Sequence, residues 1–222
     1  MCGRYTLRTS SAEVARQFGL FDVPDLPPRY NIAPTQTVAV VRGNAPRELA
    51  LLRWGLVPSW AASPPAGAPL INARAETAAT KPSFRSAFKS RRCLIVADGF
   101  YEWRKLGNAR QPYYIHRRDD GLLALAGLWE CRTQAGESLE SCAIITTAAN
   151  ATMQPLHDRM PVIIARDNFD TWLTDAAHAG DLLRPCPAED LEAYPVRRQV
   201  GNPRYDRPDC IEPDPGATTT ER

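Results

Sequence analysis

The sequence predicts an α+β fold: a β-rich single domain in which antiparallel sheets form a barrel-like core flanked by a few short helices. Three observations carry that expectation. The chain has 222 residues, 44% of them hydrophobic, enough for one sizeable core. Short apolar, β-branched runs recur at 37–42, 49–53, 93–97, 113–117, 122–126, 142–147 and 161–164, bounded by Gly, Pro, Asn or Asp. These runs follow one another instead of alternating with long helical patterns, which argues against a doubly wound sheet.

Taken in chain order, Ser10 and Glu13 have capping-box spacing ahead of Val14, Ala15 and Phe18, predicting a short first helix. Phe84, Ala87 and Phe88 after Pro82 predict a second, and Asp167 is positioned to cap a third carrying Phe169, Trp172 and Leu173. Residues 57–69 form a Pro/Ala/Gly-rich stretch that reads as a surface flap. From Gly201 the apolar pattern fades, so a domain spanning 1–205 followed by a flexible tail over 206–222 is expected.

Composition removes several function classes. There is no collagen-like period, no sustained heptad, and no apolar run long enough for a bilayer. The N-terminus lacks the apolar stretch of a secretory signal, so a cytoplasmic, reducing setting and free cysteines are expected. The cysteines contain no Cys-x2-Cys pair and no close histidine, so neither a metal nor an organic cofactor is expected. A monomer is the default expectation. Net charge is +2 overall, yet residues 74–118 carry eleven Lys/Arg against three Asp/Glu. Interleaved with aromatic residues, this segment suits either a polyanion or a solvated basic face.

Cys2 is chemically unusual by position. The small residue after Met1 favours removal of that methionine, which would leave a cysteine bearing a free α-amine. Amine and thiol on one carbon skeleton can condense with an aldehyde, closing a thiazolidine ring; alternatively Cys2 merely begins a strand. His157, in a turn before an apolar run, is either an acid–base group or a satisfied turn histidine. Glu102 follows a strand among aromatic neighbours that would raise its pKa; the alternative is a surface partner for Arg104. Asn72, Arg74 and Glu76 alternate, placing them on one face of an extended segment, where amide and guanidinium can orient a sugar and phosphate or Arg74 and Glu76 can simply pair.

Seven ordered blocks carry a resemblance: residues 1–5 (MCGRY), 30–36 (YNIAPTQ), 53–60 (RWGLVPSW), 72–77 (NARAET), 91–103 (RRCLIVADGFYEW), 126–130 (AGLWE) and 157–162 (HDRMPV). With these the chain closely resembles the SRAP family, the SOS response-associated peptidases, whose members crosslink to abasic sites. The resemblance implies a protein of the DNA damage response that binds single-stranded DNA or a single-stranded to double-stranded junction. It further implies capture of the ring-opened abasic deoxyribose on Cys2 as a thiazolidine. Asn72 would then position the terminus and sugar, Glu102 would assist proton transfer, and His157 would support ring opening and reversal. Arg4, Arg74 and Arg159 would contact phosphates, with Trp54 and Trp103 as stacking or wedging surfaces. Autoproteolytic removal of Met1 by Cys2, Glu102 and His157 is compatible with the sequence and with the family's name. An N-terminal-nucleophile cysteine peptidase or amidase acting on peptides is the competing activity, and a DNA-binding module without covalent chemistry is a third.

Overall fold

The computed structural model describes residues 2–43, 46–61 and 68–217. Its strands are β1 (Tyr5–Leu7), β2 (Arg29–Ile32), β3 (Thr37–Arg42), β4 (Glu48–Trp54), β5 (Asn72–Arg74), β6 (Arg92–Ala97), β7 (Gly99–Leu106), β8 (Ala109–Arg117), β9 (Leu123–Gln134), β10 (Glu137–Ala148), β11 (Arg159–Pro161) and β12 (Leu191–Pro195). The helices are short: α1 (Ser11–Phe18), α2 (Ala75–Ala78), α3 (Arg85–Ser90) and α4 (Phe169–Thr174).

Five strands close a barrel in the order β10-β4-β3-β6-β9, with β9 pairing back onto β10. Closure leaves no edge inside the ring. Most pairs are antiparallel, but β10 runs parallel to β4 and to β5, so the barrel is mixed. β10 can serve four partners because it is long: its first half pairs with β9, and its second half collects β5 and β11. The wholly apolar run Cys93–Ala97 is buried throughout, as expected of a strand covered on both faces. A second, antiparallel sheet, β12-β8-β7-β1-β2, packs beside the barrel.

Local signals hold where they rest on hydrogen-bond chemistry. Ser10 Oγ accepts the Glu13 N–H at the start of α1, and Gly19 ends that helix at φ +66°. Asp167, by contrast, does not cap α4. It sits inside a 3-10 turn, Arg166–Asn168, and α4 begins after Asn168 without a side-chain cap. Of the predicted strand 161–164, only Pro161 falls in β11, which lies mostly ahead of it, and Ile163 makes an isolated bridge to Leu125. Residues 62–67 of the flap expected over 57–69 lie outside the described residues.

The expected boundary at 205 is not where packing ends. Cys210 is buried in a small second core with Tyr101, Tyr114, Val196 and Val200. Tyr194 Oη donates to Ile211 O at 2.7 Å, Val196 bridges Pro213, and Asp206 accepts the Tyr30 N–H. The apolar pattern fades after residue 201 because this segment is fixed mainly by backbone and polar contacts. Asn31 illustrates this: its amide donates to Val200 O, Asn202 O and Tyr205 O.

Two of the quoted blocks prove to be one structural unit. Thr35 N–H donates to Trp54 O at 2.7 Å, and Trp54 N–H donates to Gln36 O at 2.9 Å. Gln36 Oε1 accepts from Ala33 N–H, tightening the intervening turn. No helix among the described residues is long and apolar enough to cross a membrane.

Candidate active site

Strand pairing brings the N-terminus to Glu102. Tyr5 pairs with Phe100 and Thr6 with Gly99, and the Tyr101 N–H donates to Arg4 O at 2.9 Å. Continuing that antiparallel register sets Gly3 against Glu102 and Cys2 against Trp103. Gly99 is required at the start of β7: a Cβ there would sit 2.6 Å from Ile115 O and from the Tyr114 ring, so any larger residue would push β7 off β8.

Cys2 is fully buried. Burial, with a smaller contribution from the Glu102 charge, pushes its thiol well above the usual range, so the resting group is a thiol and not a thiolate. Asn72 Nδ2 donates to Cys2 O at 2.9 Å, fixing the backbone of residue 2 from the β5 side. Asn72 Oδ1 is buried and has no hydrogen-bond partner among the described residues.

Glu102 is buried, and loss of hydration raises its pKa, with the positive charge of His157 opposing. A raised carboxyl can hold a proton near neutral pH and release it to a reacting group. Glu102 and His157 line one cavity of about 370 Å³ with Trp103, Lys105, Arg110 and Leu156. His157 Nδ1 accepts the Arg159 N–H at 2.9 Å and also lies 2.7 Å from Asp158 Oδ1. These contacts suit different states. The neutral ring accepts the backbone N–H and carries its proton on Nε2, whereas the imidazolium donates to the carboxylate.

On the other side of Asn72 a cleft of about 640 Å³ is lined by Arg74, Thr77, Thr80, Lys81 and Phe84. Arg74 is exposed there, available to an anion. The structure therefore gathers Cys2, Asn72, Glu102 and His157, with Trp103 and Arg74 on flanking walls.

Three of the expected contact residues already have partners within the fold. Trp54 is fully buried, its Nε1–H donating to Ile71 O at 3.0 Å and its ring 5.2 Å from that of Tyr5, so it is a core residue and no base can stack on it in this arrangement. Arg159 is held by both oxygens of Glu76, at 2.6 and 2.9 Å, and donates to Thr146 O at 2.6 Å, so its fork is already filled. Arg4 commits Nη1 to Asn31 Oδ1 at 2.8 Å and to Val200 O at 2.9 Å while lying 5.8 Å from the Trp103 ring centre. Sequence reasoning had not singled out Lys81, Lys105 or Arg110, although all three fall in the basic segment 74–118; their common signal was charge, without a way to tell which charges face the cleft.

A family model described as SOS response associated peptidase (SRAP) matches residues 1–203. The abasic site processing protein YoqW of Bacillus subtilis (strain 168) is 41% identical over 222 residues, covering 96% of this chain and 99% of that protein. The abasic site processing protein YedK of Escherichia coli (strain K12) is 30% identical over 230 residues, covering 96% of this chain and 100% of its own length. A crystal structure of a protein from Bacteroides thetaiotaomicron matches with a TM-score of 0.84 at 25% identity, covering 96% of this chain and all of that one. By its sequence blocks, its fold and these matches, the chain belongs to the SOS response associated peptidase (SRAP) family.

Proposed function

We propose that this protein processes abasic sites in single-stranded DNA, capturing the lesion covalently on residue 2 once Met1 has been removed. The observation that carries this reading is the placement of Cys2: buried, held through its carbonyl by Asn72, and beside a carboxyl whose pKa is raised. A chain terminus is ordinarily solvated and loosely held. Burying this one against Asn72 and Glu102 orders it for reaction at its own atoms.

The chemistry balances without a cofactor. The ring-opened abasic deoxyribose presents an aldehyde at C1′. The freed α-amine of Cys2 adds to that carbon, and the carbinolamine oxygen leaves as water with a proton supplied by Glu102, giving an imine. The thiol sulfur then adds to the imine carbon, and its proton ends on the ring nitrogen. Two C–heteroatom bonds form, one water is lost, and no oxidant is consumed. His157 faces the same cavity as Glu102 and can exchange protons during sugar-ring opening. Arg74 and Lys81 give the backbone an electrostatic seat beside Asn72.

The competing activity, peptide hydrolysis by a Cys2 thiolate, is disfavoured by the same geometry. A thiol pushed up by burial and by a neighbouring carboxylate is a poor standing nucleophile. Amine-first condensation needs no thiolate at the start.

Met1-free wild type and Cys2→Ala protein, incubated with single strands bearing either an abasic site or a normal base, test the proposal on a denaturing gel. A heat-stable band is expected only for wild type with the abasic strand. A band of equal intensity with Cys2→Ala, or DNA-independent peptide turnover in place of any band, would overturn it.

A further inference from the structure

We propose that the face of the β7-β8-β12 sheet next to Glu102 is a subsite for the unpaired nucleotide that flanks the captured sugar, with Tyr113 as the stacking platform for its base and Arg104 as the partner of its phosphate. This inference rests on the abasic-site reading above and names where the strand goes after it leaves the reacting centre.

Register places the platform. Glu102 on β7 pairs with Tyr113 on β8, and Tyr113 pairs with Pro195 on β12. Paired residues of an antiparallel sheet share a face, so Tyr113 is the immediate cross-strand neighbour of Glu102 on the side where the chemistry occurs. Arg104, two residues along β7, lies on that same face. A cavity of about 430 Å³ opens over these residues. Its lining includes Pro155 and Leu156, and Leu156 also lines the cavity of Glu102 and His157, so the two spaces are neighbours that share a wall residue.

The groups in this cavity suit a nucleotide. Tyr113 is partly exposed, and its hydroxyl has no hydrogen-bond partner among the described residues. Arg104 is likewise partly exposed, and its guanidinium makes no hydrogen bond or ion pair among the described residues. A partly exposed guanidinium with no carboxylate partner is available to an anion. The one carboxylate in the cavity, Glu192, is already flanked by Arg118 at 3.4 Å and His116 at 3.4 Å, and so does not neutralise Arg104. Aromatic face, apolar opposite wall and an available guanidinium are the elements by which single-stranded nucleic acid is held without sequence preference.

The test uses Met1-free full-length protein and fluorescence anisotropy with single strands carrying a tetrahydrofuran abasic analogue, shortened one nucleotide at a time from either end. Wild type is expected to lose affinity in a step when the nucleotide adjoining the analogue is removed from one side. Tyr113→Ala should lack that step, binding the longer strand about 5- to 100-fold more weakly than wild type and the shortened strand equally. Tyr113→Phe should restore it, and Arg104→Ala should lower the slope of log affinity against log salt by about 0.7. Tyr113→Ala and Arg104→Ala proteins that reproduce the wild-type truncation profile overturn the subsite. Absence of covalent product on natural abasic strands, with the step still present, removes the capture chemistry and leaves the subsite standing.

Discussion

Asn72 holds Cys2 by the backbone: its Nδ2 donates to Cys2 O at 2.9 Å, while its own Oδ1 stays buried with no partner among the described residues. The donor end fixes the backbone of residue 2; under the proposed function the acceptor end would receive a sugar hydroxyl of the substrate.

Replacing Asn72 by Ala removes one buried hydrogen bond, and replacing it by Asp sets a carboxylate against the Cys2 carbonyl. Crosslink formation should slow about 10- to 100-fold for Asn72→Ala, equivalent to about 1.4–2.7 kcal/mol of barrier, and further for Asn72→Asp. Single-turnover gel kinetics with saturating abasic strand read this directly. Equal rates for all three proteins would show that the contact is only structural.

Glu102 ties pH to stability. Its pKa is raised in the folded protein because burial strips water from the carboxylate, so the folded chain holds a proton there at pH values where the unfolded chain has lost it. Ionised Glu102 therefore costs stability as pH rises above the ordinary glutamate range, and the cost is absent below it. Glu102→Gln should melt higher than wild type at pH 7, with the gap closing as pH falls towards 4, while crosslinking slows. Calorimetry across that range, paired with crosslinking rates, checks both halves of the trade.

Glu76 occupies Arg159, and under the proposed function it would compete there with a DNA phosphate. The carboxylate grips both Nη atoms of a largely buried arginine from a position that is itself half exposed. Glu76→Gln should therefore bind single-stranded DNA severalfold more tightly at low salt and steepen the salt slope by about 0.7, with a stability loss of no more than about 1 kcal/mol. Anisotropy titrations at several salt concentrations distinguish this from a merely structural pair, for which affinity would fall.

Trp54 belongs to the core. Trp54→Phe should lower unfolding free energy by about 1–3 kcal/mol through a cavity and the lost bond to Ile71 O, leaving DNA affinity of the folded protein unchanged. Chemical denaturation and anisotropy on one preparation give both numbers.

The apolar strands were legible because each carries its own pattern. β3, β4 and β6 fall within a residue or so of the runs 37–42, 49–53 and 93–97. β1 and β12 were not, since strands of three to five residues show little periodicity and exist by pairing with β7 and β8. Cys2, Glu102 and His157 were singled out because their residue types at those positions suggest chemistry. What no one-dimensional pattern supplies is competition between partners. Arg159 looks like a free cation until β11 brings it to Glu76, and Trp54 looks like a stacking surface until the Thr35–Gln36 turn closes over its backbone. Likewise the packing of residues 206–213 depends on Tyr30, which donates to Asp206 from far away in sequence, and on Tyr194, which donates to Ile211 O.

The most direct test of the central claim is intact-mass analysis of the adduct formed by two forms of the wild-type protein, one verified free of Met1 and one retaining it, each mixed with the same abasic strand. Only the Met1-free form has the α-amine that thiazolidine closure needs. The account predicts a species equal to protein plus DNA less one water for that form and none for the other. A crosslink of the same mass relation on chains that still carry Met1 would contradict it.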